Sequence, residues 1–92
     1  MLGRNWRCSQ GELDLIVRFG GTVAFCEVKT RSGFRFGAPA EAVGTAKQAR
    51  IRRLAARWLR EHRSRLGARP LLLRFDVAAV LDGRITVLED AF

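Results

Sequence analysis

The chain predicts an α/β domain built on a mixed sheet, and three observations carry that prediction. Two short apolar segments, 22–29 and 71–81, are hydrophobic on both strand faces, as strands interior to a sheet are. Between them lies one long segment with helical periodicity, enough chain to carry a crossover between parallel strands. The remaining strand-like segments sit beside tight-turn pairs, Gly20-Gly21 and Asp82-Gly83, which favour antiparallel hairpins.

Taken in order, "LGRNWR" (2–7) reads as a first strand, followed by the turn-prone "CSQG". "GELDLIVRF" reads as a second strand with Leu13, Leu15 and Val17 on one face and Glu12, Asp14 and Ile16 on the other. The third strand, from Thr22, places Val23, Phe25, Glu27 and Lys29 on one side and Ala24, Cys26 and Val28 on the other. It runs into "TRSGFRFGAP", whose arginines, phenylalanines and glycines suit a nucleic-acid-contacting loop. Residues 45 to about 65 read as the helix: Ile51, Leu54, Ala55, Trp58 and Leu59 form one apolar stripe. Thr45 to Gln48 fits a capping box, and Gly67 with Pro70 supplies the stop. "LLLRFDVAAVL" is the fourth strand and "RITVLED" the fifth, at an edge.

At 92 residues the chain, 1–92, makes a single domain. No apolar run reaches the roughly 20 residues of a membrane span and no signal peptide opens the chain, so the expectation is a cytoplasmic protein with no membrane partner. Cys8 and Cys26 are expected as free thiols, and a single histidine makes zinc chemistry improbable. Lys and Arg number 17 against 9 Asp and Glu, a net charge of +8 with fifteen of the cations arginine. Such a field attracts polyanions, nucleic acid first.

Glu27 and Lys29 stand out, because an unpaired charge on an interior strand is costly. A hairpin centred on Gly20-Gly21 pairs residues whose numbers sum to 41, which sets Asp14 opposite Glu27 and Glu12 opposite Lys29. Like charges facing across a strand pair are destabilising unless a proton or a cation intervenes. Two converging carboxylates are what Mg²⁺ or Mn²⁺ accepts, with water and phosphate completing the shell, and Lys29 beside them could orient water. On a basic protein that set points to phosphodiester hydrolysis. The competing reading is a buried salt-bridge cluster of Glu12, Lys29 and Asp14 with some arginine. Glu41 reads as a first-turn helix charge, Asp76 as one half of a structural ion pair with Arg74, and Trp6 as either core or a stacking surface.

The blocks "RNWRCSQGELDLIV", "FCEVKTRSGFRFGAPAEAV", "KQARIRRLAARWL" and "LRFDVAAV" resemble, in order and over nearly the whole chain, the bacterial YraN-like family. That family is placed with the restriction-endonuclease-like, PD-(D/E)xK nucleases, near archaeal Holliday-junction resolvases. The resemblance implies strand order 1-2-3-4-5 with helices on the sheet faces. It implies metal ligands at Asp14 and Glu27, a catalytic Lys29, and a polar helper at Gln48 or Lys47. Relatives usually begin with a helix carrying Gly and Glu before "ILxRNWR"; this chain starts at Met1-Leu2, so the usual N-terminal helix is missing, and a second copy could cover the exposed face as a homodimer. The expected function is a metal-dependent endonuclease acting on DNA of branched or otherwise unusual structure. Arg31, Arg35, Lys47, Arg52, Arg53 and Arg57 are the expected nucleic-acid contacts. The rivals are a non-catalytic nucleic-acid-binding module of the same fold and an assembly protein whose basic face meets an acidic partner.

Overall fold

The computed structural model describes residues 1–31 and 43–92; the side chains of Arg31 and Leu81 are outside what it describes. Five strands form one sheet in the order β1(Gly3–Cys8), β2(Gly11–Phe19), β3(Thr22–Arg31), β4(Leu72–Leu81) and β5(Arg84–Leu88). β3 and β4 run parallel, and the other neighbouring pairs are antiparallel. The mixed sheet and its strand order are therefore those expected. Helix α1(Thr45–Leu66) makes the crossover and packs on one sheet face.

Burial explains why α1 sits where it does. Ile51, Leu54, Ala55 and Trp58 are all buried, so the apolar stripe read from the sequence is the packing face. It meets Val23 and Phe25 of β3 and Phe75 and Val77 of β4. Trp58 stands edge-on to Phe25 with centroids 6.0 Å apart, and Phe25 stacks on Phe75 at 5.6 Å. The opposite sheet face carries no covering helix among the described residues and leaves Val28, Ile85 and Val87 exposed. Cys8 and Cys26 are free thiols.

Three local readings are corrected. The helix is capped by Gly44, not Thr45, and the cap makes no side-chain hydrogen bond; Thr45 is already inside the first turn. The side chain of Gln48 donates to the Val43 carbonyl at 2.9 Å, so it ties the helix start to the preceding chain. In β2 the strict alternation fails. Leu13 and Ile16, three residues apart, are both buried, and Leu15 is only partly so. The opposing position in β1 is Asn5, whose φ of +50° is left-handed, and β1 and β2 are paired on both sides of it. The register is unshifted across Asn5, and Asp14, the residue opposite, is left out of the paired ladder.

Gly11 fixes how closely α1 approaches. Its φ is +145°, and a Cβ there would lie 3.2 Å from Cδ1 of Leu54. Gly11→Ala is expected to cost about 1–3 kcal/mol, through backbone strain and through pushing α1 off β2. Chemical denaturation of the two proteins measures this; a loss below about 0.5 kcal/mol would show that neither constraint matters.

Candidate functional site

The β2–β3 hairpin has the expected register: Phe19 faces Thr22 and Leu15 faces Cys26. The paired ladder stops there. At the next step Asp14 turns its carboxylate onto the chain, and Oδ2 accepts the Val28 amide N–H at 2.9 Å. Asp14 and Glu27 are thus brought to one cavity of about 220 Å³ without forming a paired position of the sheet. Glu12 lines the same cavity from β2, and Lys47, Arg50 and Leu54 close it from α1.

Glu27 is the centre of the cluster. It is 8% exposed, an expensive place for a carboxylate, and it is neutralised from both sides. The Nζ of Lys47 lies 2.6 Å from Oε1 of Glu27, and the Nζ of Lys29 lies 3.4 Å from the same oxygen. Periodicity puts Lys29 on that side, two residues along one strand face; Lys47 arrives because α1 crosses above β3. The two ammoniums share one acceptor, and their proton affinities move apart. Lys29 is pushed down, first by the neighbouring Lys47 and then by burial. Burial, the largest single influence, works against the Lys47 charge, but its contacts with Glu27 and Lys29 together outweigh it and the net direction is up. The direction for Lys47 fits the geometry, since it holds the shorter contact.

Asp14 is pushed up from the ordinary carboxylate range, first by burial. The Val28 amide bond opposes the shift, and the charge of Glu27 adds to it. Its hydrogen bond is to an amide, so it carries a like-charge conflict with Glu27 that no direct ion pair relieves among the described residues. The expected Glu12–Lys29 pair is replaced by a more exposed one, with Glu12 3.1 Å from Nε of Arg7. The salt-bridge cluster of the sequence reading does exist, but around Glu27 and with Lys47 in place of an arginine.

The remaining expected residues divide. Gln48 faces the Val43 carbonyl and does not line the Asp14–Glu27 cavity. Arg53 is exposed on α1, and Arg57 is held by Glu61 at 2.9 Å. Arg52 lies on the β4 side of the helix, stacked 4.7 Å over Phe75 and 5.9 Å from the Phe92 ring. Arg35 and Glu41 lie outside the described residues, as does the side chain of Arg31. Asp76 is the structural ion-pair partner expected: it accepts two bonds from Arg74 and the Asp90 amide, all within 3.0 Å. The Cys26 thiol is pushed up by burial and then by Asp76, which argues against a nucleophile.

Sequence reasoning missed Arg50. It lies on the same flank of α1 as Lys47, one turn further on, and that three-residue spacing was the available signal. Among the described residues no three His, Cys, Asp or Glu side chains are grouped closely enough to hold a metal alone. Any divalent ion would therefore draw part of its shell from water or from phosphate. Mg²⁺ commonly binds in that way, through one or two carboxylates. None of the described helices is long and apolar enough to cross a membrane.

A model of the uncharacterised protein family UPF0102 matches residues 1–80. Among similar proteins, a UPF0102 protein of Frankia alni is 61% identical over 80 residues, covering 87% of this chain and 63% of that protein. A UPF0102 protein of Beutenbergia cavernae is 58% identical over 81 residues, 88% of this chain and 65% of its own length. One from Nocardia farcinica is 54% identical over 81 residues, 88% and 61% respectively. The chain thus spans somewhat less than two thirds of the length of these relatives.

Proposed function

The chain belongs to the uncharacterised protein family UPF0102, and on that premise we propose that it is a divalent-metal-dependent nuclease of the PD-(D/E)xK kind, hydrolysing phosphodiester bonds in DNA. The observation that carries this reading is the convergence of Asp14, Glu27 and Lys47 on one polar cavity beneath an arginine-rich helix, with Lys29 held against Glu27 at 3.4 Å. Asp14 and Glu27 would hold Mg²⁺ or Mn²⁺, and these all-oxygen donors suit such hard cations. The bound ion would supply charge stabilisation at the phosphate. Lys29 would orient the water whose oxygen attacks phosphorus as the P–O ester bond breaks. Lys47 holds the Glu27 carboxylate in the metal-free protein and would turn to the phosphate when that carboxylate is engaged elsewhere. Gln48, committed to Val43, is left out of this scheme.

One observation favours a second reading, a non-catalytic nucleic-acid-binding module. Glu27 already has its counter-charges in Lys47 and Lys29, so charge balance does not demand a metal. Cleavage of supercoiled and branched DNA with Mn²⁺, alongside binding in EDTA, separates the two. Binding unchanged by metal, with no cleavage, supports the module. An acidic protein partner that excess duplex DNA fails to displace would support the assembly reading.

Either nucleic-acid reading predicts a strong salt dependence. If roughly five phosphates are neutralised, log K should fall against log[salt] with a slope of about −4 to −5. Since Arg52 is stacked on Phe75, the pair to replace is Arg50 and Arg53; alanine at both should make the slope shallower by about 2. A slope near zero in the unmodified protein would end both readings.

A further inference from the structure

At the far end of α1 from Lys47 lies a second hollow, of about 450 Å³, within the range of ligand pockets. Its floor is leucine: Leu59 and Leu66 from α1, and Leu73 from β4. Its rim carries Arg60, Arg63 and Arg69, and among the described residues none that lines it is acidic. An apolar floor under guanidinium groups is complementary to a flat, weakly polar body joined to an anion. Arginine suits both halves of such a ligand, since its planar fork pairs with phosphate and its face stacks on a ring.

A continuous band of cations leads there. Lys47 and Arg50 line the Asp14–Glu27 cavity, Arg50 and Arg53 line a smaller hollow next to it, and Arg60 and Arg63 line the leucine-floored groove. Apart from the four residues between Arg53 and Arg57 the steps are of three, short of a full helical turn, so the band drifts across the outer surface of α1 from the β2 side to the β4 side. From Lys47 to Arg63 it rises roughly 24 Å at 1.5 Å per residue. Among the described residues two members are paired to carboxylates, Lys47 to Glu27 inside the cavity and Arg57 to Glu61 on the surface. An anionic lipid headgroup would satisfy the groove but leave the band without a purpose. A strand of phosphates satisfies both.

We propose that the groove bounded by Arg60, Arg63 and Arg69 is a nucleotide-binding subsite that takes an unpaired base of the strand whose backbone runs along α1 to the Asp14–Glu27 cavity. The placement of the strand rests on the nucleic-acid reading above and adds the substrate class: nucleic acid with a single-stranded segment. A base in a duplex has both faces stacked and cannot enter the groove, whereas an unpaired base is free to stack on arginine.

The test is fluorescence anisotropy in EDTA with a labelled 12-nucleotide oligothymidylate and a blunt 12-base-pair duplex. The protein is compared with Arg63→Ala/Arg69→Ala and, separately, with Leu73→Ser. These side chains are exposed or half-exposed, and thermal melts verify that the variants remain folded. The arginine pair is expected to lose about tenfold in affinity for the single strand and less than twofold for the duplex. Leu73→Ser is expected to lose a few-fold on the single strand alone. Equal losses on both probes, or none on the single strand, would overturn the subsite. So would arginine-dependent binding to phosphatidylglycerol vesicles without any binding to the oligonucleotide. Single-strand binding that needs the groove, in a protein that cleaves nothing with Mn²⁺, would sink the nuclease reading and leave the subsite standing.

Discussion

Glu27→Gln should lower the stability of the metal-free protein by about 2–4 kcal/mol, which for a domain of this size is a fall in Tm of the order of 10–20 °C. The reasoning begins with burial. Glu27 is 8% exposed and holds two ammonium groups, at 2.6 and 3.4 Å, on one oxygen. Glutamine keeps the shape and one acceptor but removes the charge, so Lys29 and Lys47 are left facing one another. Breaking a fully buried pair costs about 3–5 kcal/mol, and the figure is reduced here because Lys47 is one-third exposed. Adding Lys47→Met should recover part of the loss by removing the stranded cation. The alkaline limb gives an independent signature. Lys47 binds its proton more tightly folded than unfolded, so its contribution is fully present below 10.5 and is lost as pH rises through its folded value. Lys29 acts in the opposite sense: its folded affinity is lower, so stability rises with pH in the window just below 10.5. Glu27→Gln should abolish the Lys47 loss. A Tm within about 2 °C of the unmodified protein would show that the cluster contributes nothing, and would remove the case for Lys47 as a resident counter-ion.

The hairpin register was readable because Gly20-Gly21 permits only a short even loop, and every pair from Phe19–Thr22 to Leu15–Cys26 follows from it. The helix was readable for a similar local reason, since its apolar stripe has one period throughout. What the sequence concealed was long-range or irregular. Nothing in "GELDLIV" announces that the alternation breaks between Leu13 and Ile16, because the partner irregularity is at Asn5, a different strand. At that break Asp14 is unpaired in both ladders, and its carboxylate accepts the Val28 amide. Lys47 could be named from the sequence as a site residue, but not as the 2.6 Å partner of Glu27, because that contact depends on how closely α1 approaches β3. Gly11 sets part of that approach, and its role appears only when Leu54 is seen against it. The ring contacts of Arg52 were hidden for the same reason. Arg52 is exposed on the helix, and the rings of Phe75 and Phe92, distant in sequence, lie beneath its guanidinium.

Asp14→Asn should leave metal-free stability unchanged or raise it, while removing all stabilisation by Mn²⁺. Asparagine can still accept the Val28 N–H through its carbonyl oxygen, so the local chain geometry has no reason to change. What disappears is a carboxylate whose proton affinity is raised by burial and by the Glu27 charge. The sign follows from linkage: for a raised acid the folded-state advantage is complete below 3.8 and is lost as pH climbs through the folded value. Once ionised, Asp14 is therefore a net cost, and Asp14→Asn should flatten the fall in stability that begins as pH rises above 3.8. In the unmodified protein a metal held by Asp14 and Glu27 would offset the cost; at 100 times its dissociation constant it would add about 2.7 kcal/mol. Lys47 opposes this gain by competing for Glu27, so Lys47→Gln should tighten Mn²⁺ binding, by calorimetry, while Asp14→Asn abolishes it. Melts of all three proteins in EDTA and in Mn²⁺ decide between the two accounts. If Asp14→Asn loses 3 kcal/mol or more regardless of metal, on the scale of a broken buried pair, then Asp14 belongs to the structural cluster. The hydrolytic reading would then have lost one of its two ligands.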